Sequence, residues 1–357
     1  MTPISFATVL DLVGDLTAPS EAWRERALRR IDSLTKPPGS LGRLEALAAQ
    51  LVAIRQAEIS LPIGKTVYIF AADHGVTVEG VSAYPSAVTH QMVLNFLAGG
   101  AAVNVLARLH EAELHVVDVG VDADFDGCVG LLHHKIARGT RNMRYEPAMS
   151  DGELSAALAV GGRLAAEAAA AGHRILAIGE MGIGNTTSAS AITCALTGSS
   201  VALATGRGTG IDAAAHARKI ATVETILTQH SSDLKHPLDI LRCVGGLEIA
   251  SMVGMMLAAP RHRIAVVADG FISTAAAALA VAIEPMVRNY IVASHRSEEP
   301  GHLLLLEYLQ LTPILSLEMR LGEGSGAVLV MPVLESAIAL YSQMATFASA
   351  GVSEASV

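Results

Sequence analysis

Aromatic residues make up only 4% of the 357-residue chain and charged residues only 17%. With so few rings, the core has to be built from Ala, Leu, Val, Ile and Met. So little charge is unusual for a soluble domain and implies that extra surface is buried in an oligomer interface. Cysteine is scarce: Cys128, Cys194 and Cys243 are isolated and odd in number. That excludes a disulfide framework and suits a reducing cytoplasm. No CxxC or HExxH occurs, and His133 and His134, adjacent on a strand, would point to opposite faces and chelate poorly. No metal is expected. Basic residues are not in excess, and a net charge of −9 argues against a nucleic-acid-binding face. The N-terminus carries Asp11 and Asp15 and lacks the basic start of a signal peptide. The longest apolar runs fall short of a bilayer: 270–283 is closed off by Asp269 and Glu284, and 245–260 contains Glu248. Neither GxxxxGKS nor GxxxxGKT is present, which sets P-loop nucleotide hydrolysis aside. Internal repeats, low-complexity linkers and charge blocks are absent too.

What is present centres on residues 174–191, RILAIGEMGIGNTTSASA. A short apolar run, 175–178, has the length of a buried parallel strand. Gly179, Gly182 and Gly184 then break regular structure and let backbone approach a ligand closely. Asn185, Thr186, Thr187 and Ser188 supply candidate N-caps for an alanine-rich helix. Strand, glycine turn and helix N-terminus aim several N–H groups at one point, a ready place for a phosphate. One carboxylate, Glu180, sits inside this anion-friendly loop. The plainer alternative is a glycine turn with a surface glutamate.

The same pattern recurs along the chain. Run 66–72 ends in Asp73-His74-Gly75, and 114–119 contains Asp118 and ends at Gly120. Run 201–205 leads into Gly206-Arg207-Gly208-Thr209-Gly210, 264–268 into Asp269-Gly270-Phe271, and 290–293 into Ser294-His295-Arg296-Ser297. Six apolar runs separated by helical segments predict a parallel sheet whose carboxyl ends form an active-site rim. A dinucleotide-binding reading of 206–210 fails on its spacing, which is not GxGxxG. Near the end, Arg320-Leu321-Gly322-Glu323-Gly324-Ser325-Gly326-Ala327 puts a second carboxylate among glycines at the start of a helix expected over 327–348. A glutamate there also stabilises a helix N-terminus, by about 0.3–1 kcal/mol, but that effect does not call for glycines on both sides.

Helices are expected over 20–33, N-capped by Ser20, and from a stiff turn at 36–45, capped by Ser40, to about Arg55. Lys36 and Arg43 of that turn either reach an anion or are solvated flanks. The early helices and the last one are expected to form a small helical domain from 1–60 and 331–357, with a large α/β domain over 61–330. His74 and His295, at strand ends, are either catalysts or structural hydrogen-bonders. Met181, Ile183, Met319 and Leu321, beside the two glutamates, form either an apolar slot for a ring or ordinary core. From the residues alone the chain reads as a cytoplasmic α/β enzyme acting on a sugar phosphate, with Glu180 and Glu323 as acid–base candidates.

Seven motifs, KPPGSLGRLE, AADHGV, GEMGIGNTTSA, GRGTG, DGF, SHRSEEPGH and RLGEGSGA, occur in the order and spacing of one family. From about residue 36 to residue 340 the chain resembles the nicotinate-nucleotide–dimethylbenzimidazole phosphoribosyltransferases. The resemblance implies a Rossmann-like three-layer α/β fold with a mostly parallel sheet, and a homodimer. It implies transfer of the phosphoribosyl group of nicotinate mononucleotide to 5,6-dimethylbenzimidazole, giving α-ribazole 5′-phosphate and nicotinate without a cofactor. By motif, the catalytic base falls on Glu323, a second active-site carboxylate on Glu180 and an active-site lysine on Lys219. Gly182, Asn185, Thr186, Gly208 and Ser297 fall where the family holds phosphate and ribose. Tyr84, Gln91, Met181 and Leu321 fall beside the benzimidazole. Two alternatives stand beside this: a related transferase using another benzimidazole or a purine, and a non-catalytic relative that binds a base or nucleotide.

Overall fold

Along β1 (Gly64–Ala72), Tyr68, Phe70 and Ala72 enter one core while Val67, Ile69 and Ala71 enter another. In β4 (His173–Met181), Leu176 and Ile178 alternate in the same way with Ile175 and Ala177. A strand apolar on both faces has to be covered on both faces, which makes a three-layer α/β fold. The structure, a computed structural model, describes residues 4–353. The ends of the two terminal segments assigned to the helical domain, 1–3 and 354–357, lie outside the described residues.

In chain order, α1 (Ile4–Val13), α2 (Glu21–Asp32) and α3 (Arg43–Arg55) precede β1; α4 (Ala87–Leu97) and α5 (Ala102–Leu109) lead to β2 (Glu113–Gly120) and β3 (Leu131–His133). Helix α6 (Asp151–Ala170) precedes β4, which is followed by α7 (Asn185–Thr197), α8 (Val201–Ala204), α9 (Ala213–Gln229), α10 (Pro237–Val244) and α11 (Leu247–Ala258). Then come β5 (Ala265–Ala268), α12 (Phe271–Ile283), β6 (Ile291–Ala293), β7 (His295–Arg296), α13 (Pro300–Leu309), β8 (Leu315–Ser316), α14 (Ser325–Gln343) and α15 (Phe347–Ala350).

The main sheet has six strands in the order β3-β2-β1-β4-β5-β6, each pair parallel; β7 and β8 form a separate parallel pair. The order reverses between β1 and β4, so the crevice beyond their carboxyl ends is where a doubly wound sheet binds ligands. Helices α6, α7 and α9–α13 contribute to the core on one face, together with Val9 of α1. Helices α2–α5 and α14 contribute to the core on the other, so α2, α3 and α14 share that core with the sheet while α1 packs on the opposite face.

Sequence and structure differ in several places. Run 201–205 is not a strand: 201–204 is the short helix α8, which buries only Ala204 and leaves Leu203 63% exposed. A run buried only at its last two residues, Ala204 and Thr205, cannot supply the two covered faces a central parallel strand needs. The sixth strand is instead β3, a short edge strand beside β2. Ser40 does not cap α3; Gly42 does, and Glu45 Oε1 accepts the Leu41 N–H at 2.9 Å. Ser20 caps α2 as expected, accepting the Trp23 N–H at 3.4 Å. Helix α14 stops at Gln343 because Met344 turns to extended backbone. Two stretches, Ala87–Leu109 and Ser325–Gln343, are apolar and long enough by composition to cross a membrane. The first is α4 and α5 with a break between them; the second packs Ala327, Val330, Met331, Leu334 and Ile338 into the sheet's core.

Helices α6 and α11 cross at glycines. A methyl on Gly161 would lie 1.9 Å from the Ser251 carbonyl oxygen, and one on Gly254 2.0 Å from that of Leu158. Backbone cannot yield as a side-chain tip does. Gly161→Ala is therefore expected to cost at least about 1–3 kcal/mol. Gly152→Ala on the same helix, with nothing within 4 Å, is expected to be neutral or stabilising. Thermal melts of the two variants check this; equal melting temperatures would remove the close crossing.

Candidate active site

Strand β4 carries Glu180 near its carboxyl end, and Gly182 and Gly184 then turn the chain into α7. Gly184 is the N-cap, at φ +98°, and offers no side chain to the helix end. A methyl on Gly182 would lie 2.5 Å from the Ala72 carbonyl oxygen of β1, so the turn runs tight against the neighbouring strand. The N-terminus of α7 thus opens beside the switch between β1 and β4, with the Asn185 and Thr187 N–H groups already donated to the Gly182 and Gly184 carbonyls.

The loop before α14 meets this turn directly. A methyl on Gly179 would come within 2.4 Å of the Gly324 nitrogen and 2.5 Å of the Glu323 carbonyl carbon, and one on Gly322 within 2.4 Å of Glu180 Oε1. Glu323 has left-handed backbone at φ +63°, where a non-glycine residue is uncommon. Asp269, at the end of β5, holds the same loop: Oδ2 accepts the Gly324 N–H at 3.0 Å and Oδ1 the Ala327 N–H at 2.9 Å. Two glutamates from distant parts of the chain are thereby brought to one place.

They line a cavity of about 480 Å³, a size that suits a small-molecule substrate. Gly182, Asn185, Thr186, Gly208 and Ser297 line it, as do Tyr84, Met181, Ile183 and Leu321. Tyr84 and Leu321 are 53% and 54% exposed, at the mouth. Gln91 and Met319 are not among the lining residues; on α4 it is Val88 and Met92 that are. Lys219 lies behind the wall, fully buried in α9, and donates from Nζ to Thr186 Oγ1 at 2.8 Å. Because Thr186 Oγ1 accepts there, its own proton is free to point elsewhere.

Burial sets the charges. It raises the Glu180 carboxyl to about 8, helped by Asp269, Glu248 and Glu323 and opposed by the Asn185 amide. Burial also raises Glu323 to about 7, and Asp269 to about 7 against its backbone N–H donors. Lys219 is pushed down to about 8 by burial, with Glu299 opposing. Such a group of carboxyl groups holds protons near neutral pH and gives them up when a cation enters.

Several contributors escaped sequence reading. Glu299 accepts the Gly208 N–H on Oε1 at 2.9 Å and fixes the 206–210 loop. His302, driven down to about 3 mainly by burial, is neutral; its Nδ1 accepts the Ser297 N–H at 2.9 Å and Nε2 meets Thr274 Oγ1 at 2.9 Å. Both stand in the SHRSEEPGH motif, the one signal that marks them in the chain. His74 pairs with Glu248 Oε1 through Nε2 at 2.6 Å, and His295 sits 3.8 Å from Asp269 Oδ1 through Nδ1. Neither histidine lines the cavity. Elsewhere, His230, Asp233 and Cys243 bring three potential metal-ligand atoms within 4.8 Å of one another. No motif marks this group, and none of its members lines the cavity.

A phosphoribosyltransferase family model matches residues 16–352. The nicotinate-nucleotide–dimethylbenzimidazole phosphoribosyltransferase of Chloroflexus aggregans is 52% identical over 328 residues, covering 92% of this chain and 93% of that protein. The protein of the same name from Ralstonia nicotianae is 49% identical, covering 95% and 96%. The crystal structure of CobT from Thermus thermophilus superposes with a TM-score of 0.89 at 44% identity, covering 94% of this chain and all of that one.

Proposed function

Because the chain belongs to the nicotinate-nucleotide–dimethylbenzimidazole phosphoribosyltransferase family, we propose that it transfers phosphoribose from nicotinate mononucleotide to 5,6-dimethylbenzimidazole. The products are α-ribazole 5′-phosphate and nicotinate. One observation carries the reading: Glu180 and Glu323 come from glycine loops in backbone contact and both line one cavity with an open helix N-terminus.

The donor's leaving group is a pyridinium, which departs as a neutral ring and needs no general acid. The acceptor attacks through its unprotonated ring nitrogen and must lose the proton on the other. Glu323 takes that proton. Glu180 stands next to the ribose carbon where positive charge develops; the donor's cation draws down its raised pKa, so the carboxylate forms when it is needed. Gly182, Asn185, Thr186, Gly208 and Ser297 hold the phosphate and ribose, with Lys219 supporting Thr186 from behind. Tyr84, Met181 and Leu321, joined by Val88 and Met92, border the base. Gln91 occupies the same helix as those two but does not line the cavity.

Incubation with nicotinate mononucleotide and a panel of benzimidazoles and purines, with products identified by mass, tests the activity. Absence of any base-ribose phosphate would overturn it. The pH profile follows from the signs. Glu323 and Glu180 both work unprotonated, so kcat/KM rises as pH passes through about 7 and then about 8. Lys219 works protonated, so the rate falls as pH passes through about 8. A bell with these limbs is expected, and a profile flat from pH 6 to 9 would exclude these roles.

A further inference from the structure

His74 and Glu248 are 2% and 0% exposed, and their contact joins the end of β1 to the first turn of α11. Glu248 Oε2 has no hydrogen-bond partner among the described residues. Burial alone would push the imidazole down, yet Glu248, by charge and hydrogen bond, and then Asp73 hold it above its ordinary value. The two side chains form a hydrogen-bonded pair in the core. Replacing such a pair with apolar residues is often neutral or stabilising, so stability alone does not account for it.

Its surroundings point to what it does. A methyl on Gly182 would stand 3.3 Å from the His74 ring and one on Gly184 3.4 Å from its Cβ, while one on Gly246 would stand 2.4 Å from the ring. The imidazole is thus wedged between the 182–184 turn and the start of α11, and Glu248 sets its tilt. A hydrogen bond fixes the same turn independently: Thr89 Oγ1 accepts the Ile183 N–H at 3.1 Å. The residue just beyond the end of β1, His74, therefore braces the turn by packing.

We infer that His74, held by Glu248, is a positioning residue that sets the 182–186 turn and with it the subsite for the phosphoribosyl donor. This rests on the donor proposed above. Neither side chain touches substrate. Of the residues bordering the base, Val88, Met92 and Leu321 lie outside the 182–186 turn, and Met181 immediately precedes it.

Glu248→Gln keeps size and shape and removes only the charge. Calorimetry on the full-length protein is expected to show its affinity for nicotinate mononucleotide falling at least about ten-fold. Affinity for the free base should change by less than about three-fold. His74→Gln should do the same, and the double variant no more than the worse single one, since the two act as one device. A purely structural pair would lower the melting temperature and leave mononucleotide affinity unchanged in the folded fraction; that result would overturn the inference while the function stands. A wild-type chain that binds no mononucleotide would overturn both.

Discussion

Glu323→Gln is expected to lower kcat by about 10²–10⁴-fold, with little change in melting temperature. Glutamine matches glutamate in length and can donate or accept a hydrogen bond, but it cannot accept the acceptor base's proton. The opposing account is that Glu323 only compensates the dipole of α14. On that account the substitution costs a few tenths of a kcal/mol and turnover is normal. Asp269 already answers that need, since its carboxylate takes the N–H groups of Gly324 and Ala327 at the helix start. The position is also poorly suited to a side chain, because left-handed backbone costs a non-glycine residue roughly 1–2 kcal/mol and Glu323 holds φ +63°. A glutamate kept there against backbone preference serves something other than stability. Single-turnover kinetics and a melt on the same variant separate the accounts. Near-normal chemistry would sink the general-base mechanism.

Gly179→Ala should be nearly as damaging for a different reason. Its Cβ would meet the Gly324 nitrogen at 2.4 Å and the Glu323 carbonyl oxygen at 2.6 Å, both backbone. Ordinary contact distance requires the two loops to part by about 1 Å, and misplacement on that scale costs on the order of 10²-fold in rate. Overpacking adds about 1–3 kcal/mol of destabilisation. The rate loss should persist at temperatures well below the melt, when the protein is fully folded. Full activity under those conditions would mean that the spacing between the two carboxylates is not critical.

Much of this site is legible in order along the chain. Glycines at 179, 182, 184, 322 and 324, each close to a glutamate or a helix start, mark two tight loops by their spacing alone. The rim of polar residues at strand ends is legible for the same reason: a run buried on both faces cannot carry Asp73, Asp118 or Asp269 except where it stops. Local pattern misleads at 201–205, where small apolar residues fit a strand or a helical turn equally well, and burial makes the choice. It also passes over β3, whose three residues carry too little periodicity to read.

Glu248 shows the boundary most clearly. In the sequence it is a lone acid interrupting an apolar run and serves only to argue against a membrane span. In the fold it is completely buried against a histidine 174 residues away. The sequence by itself determined the kinds of element, their order, the glycine loops and the family, because these depend on neighbours within a few residues. The tertiary structure decided the β3-β2-β1-β4-β5-β6 order, the meeting of the Glu180 and Glu323 loops and the protonation of the acids between them. Those depend on which distant segments exclude water from one another, and desolvation is a property of the packed molecule rather than of any stretch of chain.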